Sequence, residues 1–338
     1  METQKIKIAV VVLNWNGKIW LEKFLPNLVK HSLEATVFMA DNASTDDSVD
    51  FVKNNFPNIK IIINMTNGGY AKGYNDALKK IDAEYFILLN SDIQVTDSWI
   101  SPIIDLMDSD KKIAACQPKL LDYKKRNIFE YAGASGGFID ILGYPFCRGR
   151  IFDHLEKDKG QYDDAIEVFW ASGACLFVRA SHFYEIGGFD EDFFAHQEEI
   201  DLCWRLKNSG YKIMVQPKSL VFHVGGGTLN ASSPFKTHLN FRNNLFMLFK
   251  NLPTAHLFVT IAVRLVLDGL AALTFLNKDK GLQHVLAIAK AHFIFYFKIP
   301  KLMSKRKKIK QKNNLLGKVD YSVLFKNKIK GINNFFEL

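Results

Sequence analysis

Two clusters of acidic and amide side chains in this 338-residue chain have the composition of a reactive site. The first, Asn90-Ser91-Asp92, follows the unbroken apolar run YFILL at residues 85–89. The second, Glu198-Glu199-x-Asp201, opens the amphipathic segment IDLCWRLK. An apolar run of that length, closed by polar turn residues, predicts a buried parallel strand. In open α/β sheets ligands collect at the carboxyl ends of such strands. Asp92 is therefore delivered to a rim, where a carboxylate beside Asn90 suits a hard divalent cation carrying a diphosphate. The competing reading of Asn-Ser-Asp is a turn and a helix cap. Glu198 and Glu199 fall at the predicted start of a helix, where the dipole favours carboxylates whatever their chemistry. His223 precedes Gly225-Gly226-Gly227, and such glycines suit a loop that closes over a ligand.

The elements that must position these groups alternate regularly. Strands are predicted at residues 6–13, 35–40, 59–63 and 85–89, and helices at 19–31, 49–55 and 70–80, which means a parallel α/β sheet. Asn14, Asp41, Asn67 and Asp92 each lie just after one of these strands, so all four line one rim of one sheet. Further on, residues 97–106 read as a helix and 113–119 as a strand or a turn into the second half. Residues 124–164 are Gly-rich and aromatic without a clean period, and 168–178 read as a buried strand broken by Ser172-Gly173-Ala174. Residues 200–207 read as a helix, 221–223 end a short strand, and Arg242-Asn243-Asn244 opens a helical region.

The formal net charge is +9, but it is concentrated: residues 298–338 carry 12 Lys/Arg against two acids, leaving the rest close to neutral. That argues against a nucleic-acid-binding body and for a basic segment meeting an anionic surface such as a membrane. The four cysteines, Cys116, Cys147, Cys175 and Cys203, form no CxxC pair; they suit neither a zinc framework nor a disulfide scaffold, and fit a reducing cytosol. Residues 1–7 are polar and 8–13 too short for the apolar core of a signal peptide.

Taken in order after successive strands, LNWNG, DNASTDDS, NGGYAKGYN and LLNSD resemble the donor-binding half of the family 2 glycosyltransferases, most closely the bacterial rhamnosyltransferase-like group. FDEDFFAHQEEIDLCWRLKNSGY and FHVGGGT extend the resemblance over roughly residues 6–244. It implies an inverting enzyme of the GT-A fold, with a mainly parallel central sheet flanked by helices. Asp41 would accept the imide N–H of uracil or thymine, and Asn14 and Asn16 would frame the nucleoside. Gly68, Gly69 and Gly73 would let backbone approach the nucleotide, and Asn75 would sit on the helix face turned toward it. Lys72 meets a phosphate or is a solvated helix lysine. Asn90-Ser91-Asp92 corresponds to the family's DXD element with Asn90 in place of the first acid, so Asp92 is the strong ligand for Mn²⁺ or Mg²⁺. His223 would complete the metal or diphosphate site, and its imidazole favours Mn²⁺.

The resemblance also makes Glu199 the general base that takes the acceptor hydroxyl's proton. Glu198 beside it and Gly173 would contact substrate. Glutamate at 199, where the family has aspartate, adds one methylene. Trp170 either stacks on a sugar or belongs to the core. His196 replaces an aromatic residue, and Arg242-Asn243 matches a family pair of uncertain role. Asp201 and Arg205, four apart, are placed to pair with each other.

The expected organisation is a GT-A domain over residues 1–245, with a donor half to about 120 and an acceptor half to about 245. A helical, basic region follows over 246–338. There, residues 257–276 and 285–299 are apolar helices, the second closed by Pro300, with seven Lys/Arg after it. Arg264 and Asp268 argue against a plain transmembrane span, and the pattern reads as an in-plane membrane anchor. The alternative is a helical hairpin packed on the catalytic domain or on a second subunit. The expected reaction moves a sugar, rhamnose being one candidate, from a dTDP or UDP donor to a hydroxyl of a lipid-linked saccharide, at the cytoplasmic face of the membrane. Two rivals remain. A sugar-1-phosphate nucleotidyltransferase would need a Gly- and Arg-rich loop that Asn14-Trp15-Asn16-Gly17 does not supply. A degenerate nucleotide-sugar-binding scaffold would bind donor without turnover.

Overall fold

Runs rich in β-branched and aromatic residues build the strands, and the polar residues that end them fall on one edge. The computed structural model of the protein describes residues 6–225, 233–277 and 279–338. Its first half is β1 (Ile6–Asn14), α1 (Lys18–Lys30), β2 (Thr36–Asp41), α2 (Ser48–Asn55), β3 (Lys60–Ile63), α3 (Gly69–Leu78) and β4 (Ala83–Asn90). The order β4-β1-β2-β3 is parallel throughout, with Asn14 level with Asp41 and Leu13 level with Asn90. β4 shows why its sequence is continuously apolar. Phe86 and Leu88 face one core cluster while Tyr85, Ile87 and Leu89 face another, so both sides of the strand are covered. Each such side chain contributes roughly 1.5–3 kcal/mol by its burial.

The second half adds β5 (Ile93–Val95), α4 (Ser101–Ser109), β6 (Ile113–Asp122), β7 (Gly137–Ile139), β8 (Pro145–Cys147), β9 (Arg150–Ile151), β10 (His154–Leu155), β11 (Ile166–Val168), β12 (Cys175–Arg179), α5 (Ala180–Glu185), α6 (Glu198–Ser209) and β13 (Lys212–His223). Together they complete a nine-stranded mixed sheet, ordered β11-β13-β6-β12-β4-β1-β2-β3 with β5 on β13. The stretch without a period, 124–164, supplies a separate antiparallel sheet, β10-β9-β8-β7. Its strands are two or three residues long, too short to show an alternation.

Two sequence expectations change here. The helix predicted from residue 97 starts at Ser101, because Ser98 is left-handed (φ 53°) and Pro102 suits a first helical turn. The single broken strand over 168–178 is two strands in different places. β11 pairs with β13 at the sheet edge, and β12 lies between β6 and β4. The chain turns between them because the buried Gln117 side chain accepts the Ser172 amide at 2.9 Å, where a strand would need a ladder partner.

The remainder is α7 (Pro234–Asn251), α8 (Thr254–Phe275), α9 (Gly281–Arg306) and α10 (Val323–Lys330). α7 runs through residue 245, so catalytic and helical regions share one continuous helix, and Arg242-Asn243-Asn244 lies in its middle rather than at its start. α9 does not stop at Pro300 but continues to Arg306. An interior proline costs about 3 kcal/mol or more. Contacts beyond it offset that cost: Lys301 and Lys305 pair with Asp192 (2.6 Å each), Lys305 also with Asp190, and Arg306 donates to the Phe249 carbonyl. α8 is long and apolar enough to cross a bilayer by length and composition. Its Arg264 and Asp268 are buried and paired at 3.2 Å, with Arg264 donating to the Leu142 carbonyl. One face of α8 therefore packs on the protein. The chain end is not a free basic tail either: Val323, Phe335 and Leu338 pack against Phe146 and Ile151 of the small sheet.

Candidate active site

The strand ends bring Asn14 and Asp41 side by side. Asn14 Nδ2 donates to Asp41 Oδ1 and to Ser44 Oγ, both at 3.1 Å, while Asp41 Oδ2 accepts the Ser44 amide. The Asn14 Oδ1 is buried without a partner, an unsatisfied acceptor of the kind that marks a ligand contact. Asn16, left-handed at φ 50°, accepts the amides of Thr45 and Asp46 and so ties the first rim loop to the second. Asn67 belongs to the same rim, where its Oδ1 accepts from Asn42 and from the Gly69 amide. Asn42 also donates to the Gly69 carbonyl and packs on Gly73, where a Cβ would lie 3.0 Å from its amide. Gly69 is left-handed (φ 76°), and a Cβ there would meet the Phe194 carbonyl at 2.3 Å. The glycine is thus required for α3 to dock against residues 190–197. Beside it, a Cβ on Gly68 would run into the Lys72 side chain.

Their surroundings correct one sequence assignment, Asn75, and decide two that were open, Trp170 and Lys72. Asn75 does not face a nucleotide: it accepts the Phe189 amide (3.0 Å) and donates to the Phe189 carbonyl (2.9 Å), latching α3 to a loop. Trp170 is 3% exposed, with Nε1 donating to the Phe138 carbonyl, so it is a core residue and no stacking platform. Lys72 pairs with Asp76 at 2.7 Å along its own helix.

Asp92 and His223 come together from positions 131 residues apart, because β13 brings His223 opposite Ile93 of β5. Asp92 Oδ1 lies 3.1 Å from His223 Nε2, and Glu130 Oε1 lies 3.1 Å from the other ring nitrogen. All three are buried. Burial opposes charge on His223, yet Glu130 and Asp92 outweigh it and push the imidazole up to about 10. Burial likewise raises Asp92, but His223 holds its carboxyl below the usual range. Two buried acids therefore require a positive charge at this point, which a proton or a metal ion can supply. The donor set fits a divalent cation. Among the described residues no group of three His, Cys, Asp or Glu side chains is placed to hold one metal ion, and Asp92 and His223 are the residues that would hold a divalent cation here. Gly226, Gly227 and Thr228, singled out in the sequence, lie outside the described residues.

Glu198 and Glu199 open α6, as their positions predict. Glu198 is 4% exposed, and one oxygen of each carboxyl is buried without a partner. Burial pushes Glu199 up to about 7, offset in part by amides at the start of α6. Burial, reinforced by Glu199, raises Glu198 far more. Burial thus favours the protonated form of both acids, and Glu199 is brought close to neutrality. His196 has a buried Nε2 without a partner, and burial brings it down to about 4. Arg205 donates to Asp201 at 2.8 Å, the pairing expected from their spacing.

One short segment joins the acid pair to the Asp92–His223 pair. The Tyr70 hydroxyl donates to the Gly173 carbonyl (2.6 Å), and a Cβ on Gly173 would lie 3.5 Å from Glu199 Cβ. The next carbonyl, of Ala174, accepts the Asn90 amide (2.9 Å), and Ser91 and Asp92 follow Asn90 in the chain. Tyr70, Asn42 and Glu130 are contributors that sequence reasoning missed. Tyr70 lies within the NGGYAKGYN motif and was findable there. Glu130 lies in the aperiodic stretch and carries no local signal.

Around one mixed sheet the chain thus gathers an asparagine–aspartate rim, a buried acid–histidine pair and two adjacent glutamates, one buried and one half-buried. The sequence profile of Glycosyl transferase family 2 matches residues 9–187, just over half of the chain, and the protein belongs to that family. It is 27% identical over 233 residues to the N-acetylglucosaminyl-diphospho-decaprenol L-rhamnosyltransferase of Mycobacterium tuberculosis, covering 64% of this chain and 75% of that one. It is 23% identical over 243 residues to rhamnosyltransferase WbbL of Escherichia coli, covering 69% and 89%. The fold is similar to that of GalNAc-T7, whose structure holds UDP, GalNAc and Mn²⁺ (TM-score 0.58, 15% identity). That similarity covers 75% of this chain and 49% of that chain.

Proposed function

We propose that the protein is an inverting, divalent-metal-assisted glycosyltransferase. In this reading it moves a sugar, rhamnose first among candidates, from a dTDP or UDP donor to a hydroxyl of a lipid-linked saccharide in cell-surface polysaccharide synthesis. The carrying observation is the disposition of two opposite chemistries across Gly173-Ala174: the Asp92–His223 pair on one side and Glu199, about 7, on the other. Asp41 would accept the imide N–H of the base. Asp92 and His223 would hold the cation, which when bound offsets the charge gathering on the diphosphate. Glu199 would take the acceptor hydroxyl's proton as that oxygen bonds to the anomeric carbon. The bond from that carbon to the diphosphate breaks, and its electron pair leaves with the nucleoside diphosphate. Attack opposite the leaving group inverts the anomeric centre. The relatives' named activities and the Mn²⁺ in the GalNAc-T7 structure support this choice.

The test is release of nucleoside diphosphate from dTDP-rhamnose, UDP-glucose, UDP-galactose, UDP-GlcNAc and GDP-mannose, with and without Mn²⁺ or Mg²⁺ and a lipid-diphosphate saccharide. Metal-dependent release from one uridine or thymidine donor is expected. Absence of binding to every uridine and thymidine donor would overturn the role of Asp41.

The outer faces of α8 and α9 expose Phe258, Val266, Leu273, Phe293 and Phe297, the last two 71% and 75% exposed. Lys307, Lys308 and Lys310 follow α9 and are exposed. Apolar side chains beside lysines match an anionic bilayer surface, which would place the enzyme on the inner leaflet. Replacing Phe293 and Phe297 together with glutamate is expected to release the protein from sedimenting anionic phospholipid vesicles. Unchanged sedimentation, with a concentration-dependent dimer that the double variant abolishes, would assign this face to a second copy instead.

A further inference from the structure

The segment leading into Glu198 and Glu199 is strained. Phe194, His196 and Gln197 are all left-handed, at φ 64°, 70° and 67°. Non-glycine residues there cost roughly 1–2 kcal/mol each, so the segment relaxes unless other contacts hold it. The contacts come from the middle of α7. Asn243, 0% exposed, directs its Nδ2 at the carbonyls of Phe193 (2.9 Å), Ala195 (2.8 Å) and His196 (2.7 Å). Arg242 Nη2 donates to the carbonyls of Asp192 and Phe193, and Nε and Nη2 both donate to Asn243 Oδ1, which fixes the amide's orientation. Asn244 donates to Gln197 Oε1 at 3.1 Å and to the Gly143 carbonyl at 2.8 Å, while Gln197 donates to the Asn240 carbonyl. Three successive helix positions thus bond one loop.

We propose that Arg242-Asn243-Asn244 is the positioning device for Glu199, with Asn243 its central residue. It holds residues 192–197 in the left-handed path that sets Glu199 beside Gly173. Asn243 touches the loop and acts on the reaction only through it. This rests on the reading of Glu199 as the base. It accounts for an asparagine where a helix has no local use for one: a rigid side-chain amide offers two N–H groups to carbonyls that the strained turn leaves without ladder partners. A displacement of about 1 Å at a reacting group costs on the order of 100-fold in rate.

The experiment compares wild type, Asn243→Ala and Glu199→Gln as full-length proteins, with the donor and acceptor that the release assay selects. It reads kcat, donor KM, donor Kd by calorimetry, and the pH dependence of kcat. Asn243→Ala is expected to lower kcat about 100-fold with donor Kd and KM unchanged. The rise of kcat with pH should move to lower pH, because a released Glu199 leaves the burial that raises it. The ionisable groups facing Glu199 are Glu198 in α6, Cys203 one turn along, Tyr70 of α3 and Cys147 of β8, and the variant alters none of them. Wild-type kcat and pH profile in Asn243→Ala, with Glu199→Gln inactive, would overturn the positioning role alone. Equal loss of donor binding and kcat would assign Asn243 to general folding and likewise overturn it. An active Glu199→Gln would instead remove the base reading. Should Asn243→Ala fail to fold, Arg242→Gln, which frees the Asn243 amide without deleting it, carries the same comparison with a smaller expected loss of about 10-fold.

Discussion

Glu199→Gln is expected to lower kcat about 1,000-fold while leaving donor KM within about twofold, the range for losing a general base that does not bind the donor. Glutamine keeps the shape of the side chain and its contacts at the start of α6 but cannot take a proton. The wild-type pH profile gives the sign. Burial raises Glu199 to about 7, so below that pH the carboxyl is protonated and inactive as a base. The rate of the wild type should climb as pH passes through 7 and level above it. In Glu199→Gln the residual rate should lose that rise. A kcat that falls with rising pH in the wild type, or that keeps its rise in Glu199→Gln, would exclude this assignment. Burial and the adjacent Glu199 raise Glu198 well above the usual carboxylate range, which weighs against it as the base.

Asp92→Ala is expected to be nearly as severe, about 1,000-fold in kcat/KM, for a different reason. The cation would lose the only carboxylate that the sequence places at the end of β4, and several kcal/mol of charge stabilisation on the departing diphosphate would go with it. Two readouts separate this from a loss of the base. Mn²⁺ binding in the presence of nucleoside diphosphate, followed by electron paramagnetic resonance, should weaken sharply in Asp92→Ala and remain unchanged in Glu199→Gln. The pH at which residual activity rises should stay near 7 in Asp92→Ala, because Glu199 is untouched. Wild-type Mn²⁺ affinity in Asp92→Ala would remove Asp92 from the cation site and leave His223 with Glu130 as the pair to examine.

Lys301 and Lys305 extend the consequences of the architecture. They reach from α9, whose outer face is the proposed membrane-binding surface, to Asp190 and Asp192 at the start of the strained segment. Lys250 of α7 pairs with both Asp190 and Asp201 of α6. The helical region is therefore tied by ion pairs to the helix that carries the acid pair, and truncation within it would disturb the site from a distance.

The sequence by itself determined the local and periodic features. The apolar run at 85–89, the alternation of strands with helices, the rim of Asn14, Asp41, Asn67 and Asp92, and the acids at the head of α6 are all written within short windows. A buried parallel strand must be apolar on both faces, and a turn at its carboxyl end must be polar. Those requirements leave marks that can be read from neighbouring residues alone. Only the tertiary structure decided the rest. Whether Trp170 met a sugar or the core depended on Gly137 and Phe138, which pack against its ring. Whether Asn75 faced a ligand depended on Phe189, 114 residues away. Glu130 reaches His223 from a stretch with no period, and Asn243 grips a loop 50 residues earlier in the chain. Pro300 read as a stop, yet ion pairs and packing beyond it keep α9 helical. A side chain that bonds a distant backbone carbonyl obeys no spacing rule, because its partner is set by how whole elements pack. The positions of the chemical groups were therefore legible in the chain, while their orientation, protonation and support came from contacts between elements far apart in sequence.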